Sequence, residues 1–202
     1  MVGDFVELPV SYDHDIYQLE FSHDDLPRSL EKSGKALRIS GNNASDDLFM
    51  FIKRELGKNE GIEPGATYLV TIEVELATNT PAGSAGIGGS PGESVYVKVG
   101  ASSVQPVRTV VDLAGEPYYR LNVDKGDQGE DGENGVTVGN VAKLHSDDFI
   151  SYEIKTLDNR SSPLELTAAS DGSLWVFVGT DSGFEGITTL YYARIELTLE
   201  ER

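Results

Sequence analysis

The chain has 202 residues, no cysteine, and 34 acidic against 16 basic side chains, for a net charge of −18. The lack of cysteine removes disulfides and thiolate metal sites, and the negative balance opposes nucleic-acid backbones and anionic lipid surfaces. No apolar run approaches the roughly 20 residues of a membrane-spanning helix.

Residues 1–14 read as an N-terminal tail and 15–202 as a single all-β domain, a size that such domains often reach undivided. The chain opens on the polar Met1-Val2-Gly3-Asp4, with no visible signal peptide, an absence that a mature exported form would share. Strand-like runs then follow at Ile16–Phe21, Ala36–Ser40, Leu48–Lys53, Tyr68–Ala77 and Ser94–Gly100. Further runs lie at Tyr119–Asp124, Phe149–Thr156, Leu164–Ala169, Leu174–Gly179 and Tyr191–Leu199. A short helical turn is predicted at Arg28–Lys32, stopped by Gly34. The clearest signal is Pro64-Gly65, a turn pair, running into a segment where Tyr68, Val70, Ile72, Val74 and Leu76 share one side. Thr71, Glu73 and Glu75 take the other side, the period of two of a half-buried strand. About ten such strands predict two packed antiparallel sheets, a β-sandwich.

Two long glycine-rich loops interrupt this pattern. Thr78–Glu93 holds five glycines and two prolines, and Lys125–Gly135 alternates glycine with acids. The second loop offers Asp124, Asp127, Asp131 and Glu133 as metal ligands, together with Glu130. Calcium takes six to eight oxygens, which closely spaced carboxylates on a turning backbone can supply. Gly129 falls at the second ligand position counted from Asp127, so the EF-hand spacing fails, and a solvated acidic loop is the competing reading. No motif requires a cofactor, and a calcium ion in this loop is possible.

Gly88-Gly89-Ser90-Pro91-Gly92 fits the G-x-S-x-G nucleophile pattern, but Pro91 has no N–H for an oxyanion and a strand follows where a helix is needed. His14, His23 and His145 show no ligand spacing, and nothing else points to catalysis, so the protein is not expected to be an enzyme. Asn43-Ala44-Ser45 and Asn159-Arg160-Ser161 fit the glycosylation acceptor pattern. Asn42, Asp46 and Asp47 sit in a polar turn and are also the side-chain types that bond sugar hydroxyls. Tyr118, Tyr119 and Trp175 are the candidate aromatic platforms for a sugar face. Tyr118 and Tyr119 are adjacent and must point to opposite sides of a strand. Trp175 and Phe177 oppose Leu174, Val176 and Val178, which suggests a strand covered on both faces and Trp175 in the core.

Three segments carry a resemblance: Ala36-Leu37-Arg38-Ile39-Ser40-Gly41, Ile62-Glu63-Pro64-Gly65-Ala66-Thr67-Tyr68, and the closing Leu190-Tyr191-Tyr192-Ala193-Arg194-Ile195-Glu196-Leu197. In this order they resemble the jelly-roll carbohydrate-binding modules of the galactose-binding-like type. The whole chain is also similar to uncharacterised exported bacterial proteins. The resemblance implies a non-catalytic module, exported to the cell surface, periplasm or medium, that binds glycan or a cell-surface protein. Such modules often hold a structural calcium with an Asp in the final strand, where this chain has Ala193-Arg194. A structural component of a bacterial surface complex and a calcium-dependent adhesion domain are the alternatives.

Overall fold

The computed structural model describes residues 1–45, 47–145 and 148–202. In chain order its elements are β1 (Val2–Val6), β2 (Leu8–Pro9), the one-turn helix α1 (His14–Tyr17), β3 (Glu20–Asp25), β4 (Lys35–Asn42) and β5 (Leu48–Leu56). They continue with β6 (Thr67–Thr78), β7 (Val95–Ser102), β8 (Arg108–Leu113), β9 (Glu116–Leu121) and β10 (Gly135–Asn140). The last are β11 (Glu153–Asp158), β12 (Leu164–Thr167), β13 (Leu174–Ser182) and β14 (Ile187–Glu201). One sheet runs β1-β5-β13-β7-β10 and the other β11-β6-β14-β4-β3, with β12 also on β6; β2-β9-β8 form a small third sheet. Every pairing within the two large sheets is antiparallel, so the fold is an all-β sandwich of the jelly-roll kind.

The alternation read in β6 sets the main core. Tyr68, Val70, Ile72, Val74 and Leu76 are at most 4% exposed and meet Met50, Ile52, Val97, Val99, Val176 and Val178 of the facing sheet. Gly65 takes the positive φ (72°) that its turn needs. In β14 the register slips between Tyr192 and Arg194, a bulge that keeps Leu190 and Tyr192 before it, and Ile195, Leu197 and Leu199 after it, against the core.

The five-stranded sheet buries its outer face too. Phe49, Phe51 and Phe177 form a second cluster with Val6 and Val123, the first two rings stacked at 5.3 Å and Phe177 edge-on to Phe49 at 6.3 Å. Gly100 makes room for this cluster: a Cβ there would lie 2.0 Å from the Phe177 ring. The cover comes from the chain between β7 and β10; Lys53 and Lys98 reach up to it from the sheet, and Lys125 reaches down from it. Lys53 donates to Pro106 O (2.6 Å), Lys98 to Glu130 O (2.7 Å), and Lys125 pairs with Asp181 (2.6 Å). The expectation that β13 is covered on both faces therefore holds for Val176, Phe177 and Val178, each 2% exposed or less.

Several expectations need correction. Residues 1–14 are not a tail: β1 pairs with β5 from Val2↔Lys53 to Val6↔Phe49, and Val6 and Leu8 are wholly buried. Their apolar pattern is short and is broken by Glu7, which sits at φ 64°. The strand expected from Ile16 starts at Glu20, because Asp13 caps α1 and Gln18 ends it in the left-handed region. Arg28–Lys32 forms a turn only, closed by Leu30 N–H on Pro27 O. Strands β8 and β10 were not anticipated; β8 is exposed along its whole length, so no alternation marks it. Both glycosylation-pattern asparagines are buried and bonded: Asn43 donates to Ser182 O (2.7 Å), and Asn159 accepts from Ile72 N–H (2.7 Å). Neither side chain is open to modification.

Candidate functional site: a groove on the six-stranded sheet

The outer face of the six-stranded sheet carries an open groove of about 560 Å³, within the range of small-molecule sites. Strand alternation delivers its floor. Ile39, Leu190 and Tyr192 point into the core, so Arg38, Thr189 and Tyr191 point out. Asn79, Phe149 and Tyr152 close one side from the segments that flank β6 and β11. Tyr152 and Tyr191 meet edge to face at 5.6 Å, and Phe149 is 56% exposed at the rim. Asn79 donates to Phe149 O (2.8 Å) and so positions that rim. Ser40 and Thr189 hydroxyls share a 2.7 Å hydrogen bond across β4 and β14. Burial, then the neighbouring Tyr191, raises the Tyr152 phenol above its ordinary range, so it stays a neutral donor. Partial burial disfavours the Arg38 charge, but Glu20 and Tyr191, through hydrogen bonds and charge, together outweigh this and raise its pKa. Ring faces, a guanidinium, hydroxyls and an amide thus share one concave surface. None of its described lining residues is a carboxylate.

The residues expected to bind a ligand lie elsewhere. Tyr118 is 8% exposed beneath the third sheet, with its hydroxyl bonded to Ser45 and the Arg120 guanidinium over its ring at 5.6 Å, so it offers no open platform. Tyr119 is half-buried against Leu8, with Arg108 over it at 5.2 Å. Trp175 is half-buried on β13, between Glu55 and Ser102 of the neighbouring strands. Asn42 donates to Ile16 O (2.8 Å) and fastens α1. Asp46 lies outside the described residues. The groove residues were missed because β4, β14 and two loops supply them; the outward Tyr191 in an alternating last strand was the available signal.

Of the acidic-loop residues, Asp124 accepts N–H bonds from Gly126 (3.0 Å) and Glu133 (2.9 Å), which hold its carboxyl below the usual range. Asp131 accepts from Thr137 N–H (2.7 Å), and Glu133 is exposed. Their bonding organises the loop itself. Asp127 instead points to a different set, with Asp47 and Asp181. Burial, then the adjacent Asp181, raises the Asp47 pKa. Burial pushes Glu7, which pairs with Arg120 at 2.8 Å, up to about 7. Asp181 was missed, although an acid continuing the outward series Trp175, Phe177, Gly179 is unusual enough to mark it.

Ser90 is not arranged as a nucleophile. Its hydroxyl donates to Glu93 and accepts from the N–H groups of Gly92 and Glu93, the bonding of a turn.

No protein-family model and no curated protein matches the chain. Among solved structures, it is similar to a carbohydrate-binding module of the β-sandwich superfamily (10% identity, TM-score 0.41, covering 98% of this chain). The chain spans 56% of that protein. A module specific for non-crystalline cellulose is similar at 7% identity and TM-score 0.35, with 88% of this chain and 80% of that one covered. A module bound to β-1,4-galactotriose is similar at 12% identity and TM-score 0.33, over 92% and 90%. None of these likenesses carries a function across to this chain.

Proposed function

We propose that the protein is a non-catalytic binding module that takes a neutral glycan in the groove of the six-stranded sheet. The observation that carries this reading is the junction of the Phe149, Tyr152 and Tyr191 rings with Arg38, Asn79 and Thr189 in one concave surface. A sugar presents C–H faces, which pack on rings, and hydroxyls, which bond amides, guanidinium and other hydroxyls. Glycoside hydrolysis needs two carboxyl groups across the bound sugar, and the described lining supplies none. The net charge of −18 favours neutral over anionic polymers. Extracellular, cell-surface or periplasmic placement is where such a polymer would be met.

The test is a glycan array followed by calorimetry on neutral plant and bacterial polysaccharides, with wild type and Tyr191→Ala. Binding that weakens at least tenfold in the variant supports the groove; no binding at millimolar sugar, or equal binding by the variant, rejects it. A second reading, docking of a cell-surface protein or assembly into a surface complex, is favoured by β8. This edge strand exposes Val110, Val111 and Leu113, and an open strand edge can add a partner strand. Loss of partner binding on Val110→Lys, with sugar binding intact, would select that reading.

A further inference from the structure

Three remote stretches of chain deliver one carboxylate each to a point under the loop that follows β9. Asp181 comes from the outward face of β13, Asp47 from the turn entering β5, and Asp127 from the loop, with one oxygen of each within 4.8 Å of the others. Asp181 is 0% exposed, and its Oδ1, like the buried Oδ1 of Asp47, has no hydrogen-bond partner. Three carboxylates gathered in this way repel one another, and the two orphaned oxygens call for further positive charge. The neighbouring cations leave those two oxygens unmet. Lys125 holds the opposite oxygen of Asp181, Oδ2, at 2.6 Å, where Gln128 N–H also donates at 2.9 Å. Lys98 donates to Glu130 O and Thr137 Oγ1, and Arg120 faces Glu7.

We infer that a calcium ion binds between Asp47, Asp127 and Asp181. Oxygens 2.3–2.6 Å from calcium lie up to about 5 Å apart across the ion, so carboxylate oxygens within 4.8 Å of one another can share one. The donors are all carboxylates, hard ligands suited to calcium, magnesium or manganese rather than zinc or copper. Ligands drawn from two loops and a strand suit calcium's flexible shell better than the near-ideal octahedron of magnesium. Asp127 is exposed, so its side of the site admits the ion and leaves room for coordinating water. The ion ties the 124–134 loop to β13 and to the turn before β5. It thereby fastens the cover over Phe49, Phe51 and Phe177.

The experiment is thermal unfolding of chelator-treated protein in calcium, in magnesium and in sodium of equal ionic strength, with calorimetry for stoichiometry. Calcium at about 100 times its Kd should raise Tm by about 5–10 °C for a chain of this size, with one ion per chain. Asp127→Ala alters an exposed side chain, so it should fold and lose the rise, whereas Glu133→Ala, an exposed loop acid outside the set, should keep it. No rise in wild type, which would leave a shared proton between Asp47 and Asp181, overturns the inference. A full rise in Asp127→Ala, or an equal loss in Glu133→Ala, also overturns it. The readout involves no sugar, so it stands or falls apart from the groove.

Discussion

Asn159→Ala should be among the most damaging single substitutions outside the apolar core. Strand β11 pairs with β6 only as far as Asp158↔Glu73, and β12 takes over at Leu164↔Val70. Between them the Asn159 side chain acts as the missing partner, accepting from Ile72 N–H at 2.7 Å and donating to Val70 O at 3.1 Å. Both β6 residues are 0% exposed, so water cannot replace the amide. Each orphaned buried group costs about 1–3 kcal/mol, which sums to about 2–6 kcal/mol for the two. For a domain of this size that lowers Tm by about 4–24 °C. Chemical denaturation, with hydrogen exchange at the Ile72 amide, measures it. Asn159→Asp keeps an acceptor for Ile72 but buries a carboxylate against Val70 O with no donor between them, a cost that should leave it no better than the alanine. A loss under about 0.5 kcal/mol in Asn159→Ala, with unchanged exchange at Ile72, would refute the reasoning.

Gly100→Ala drives a methyl group into the Phe177 ring and should cost about 1–3 kcal/mol by overpacking, read from the urea midpoint. Lys125→Ala leaves Asp181 buried beside Asp47 without its 2.6 Å partner, and breaking such a pair costs about 3–5 kcal/mol. Calcium should restore part of that loss if the ion occupies the proposed position. Asp124 is held below its ordinary 3.8 by the N–H groups of Glu133 and Gly126. Its stabilising bonds are therefore fully present above about pH 4 and fade as pH falls through the depressed pKa; Asp124→Asn should show a flatter acid limb in its melting profile.

The sandwich was legible because β6 and β14 bury one face against the other sheet, which writes a period of two, and β13, covered on both faces, writes a continuous apolar run. Short or exposed strands leave no such record. β1 has one buried residue, Val6, at its end beside Glu7, and β8 has no buried residue at all. The sites were less legible for a geometric reason. Tyr191, Arg38 and Phe149 come together only through sheet order, and Asp47, Asp127 and Asp181 only through the return of the long loop onto β13. Local spacing drew attention to Asp124, Asp131 and Glu133, acids that are neighbours along the chain but bond their own loop or face water. Tyr118 shows the same limit from the other side: an adjacent tyrosine pair says that one ring faces inward, but which one depends on a third sheet that the sequence did not announce.

The groove should hold sugar on Tyr191 and its neighbours. Calorimetry of the best array ligand against wild type, Tyr191→Ala and Trp175→Ala decides this. Binding should be saturable, weakened at least tenfold by Tyr191→Ala and left unchanged by Trp175→Ala. Binding lost with Trp175 and kept without Tyr191 would place the ligand on the opposite sheet and contradict it.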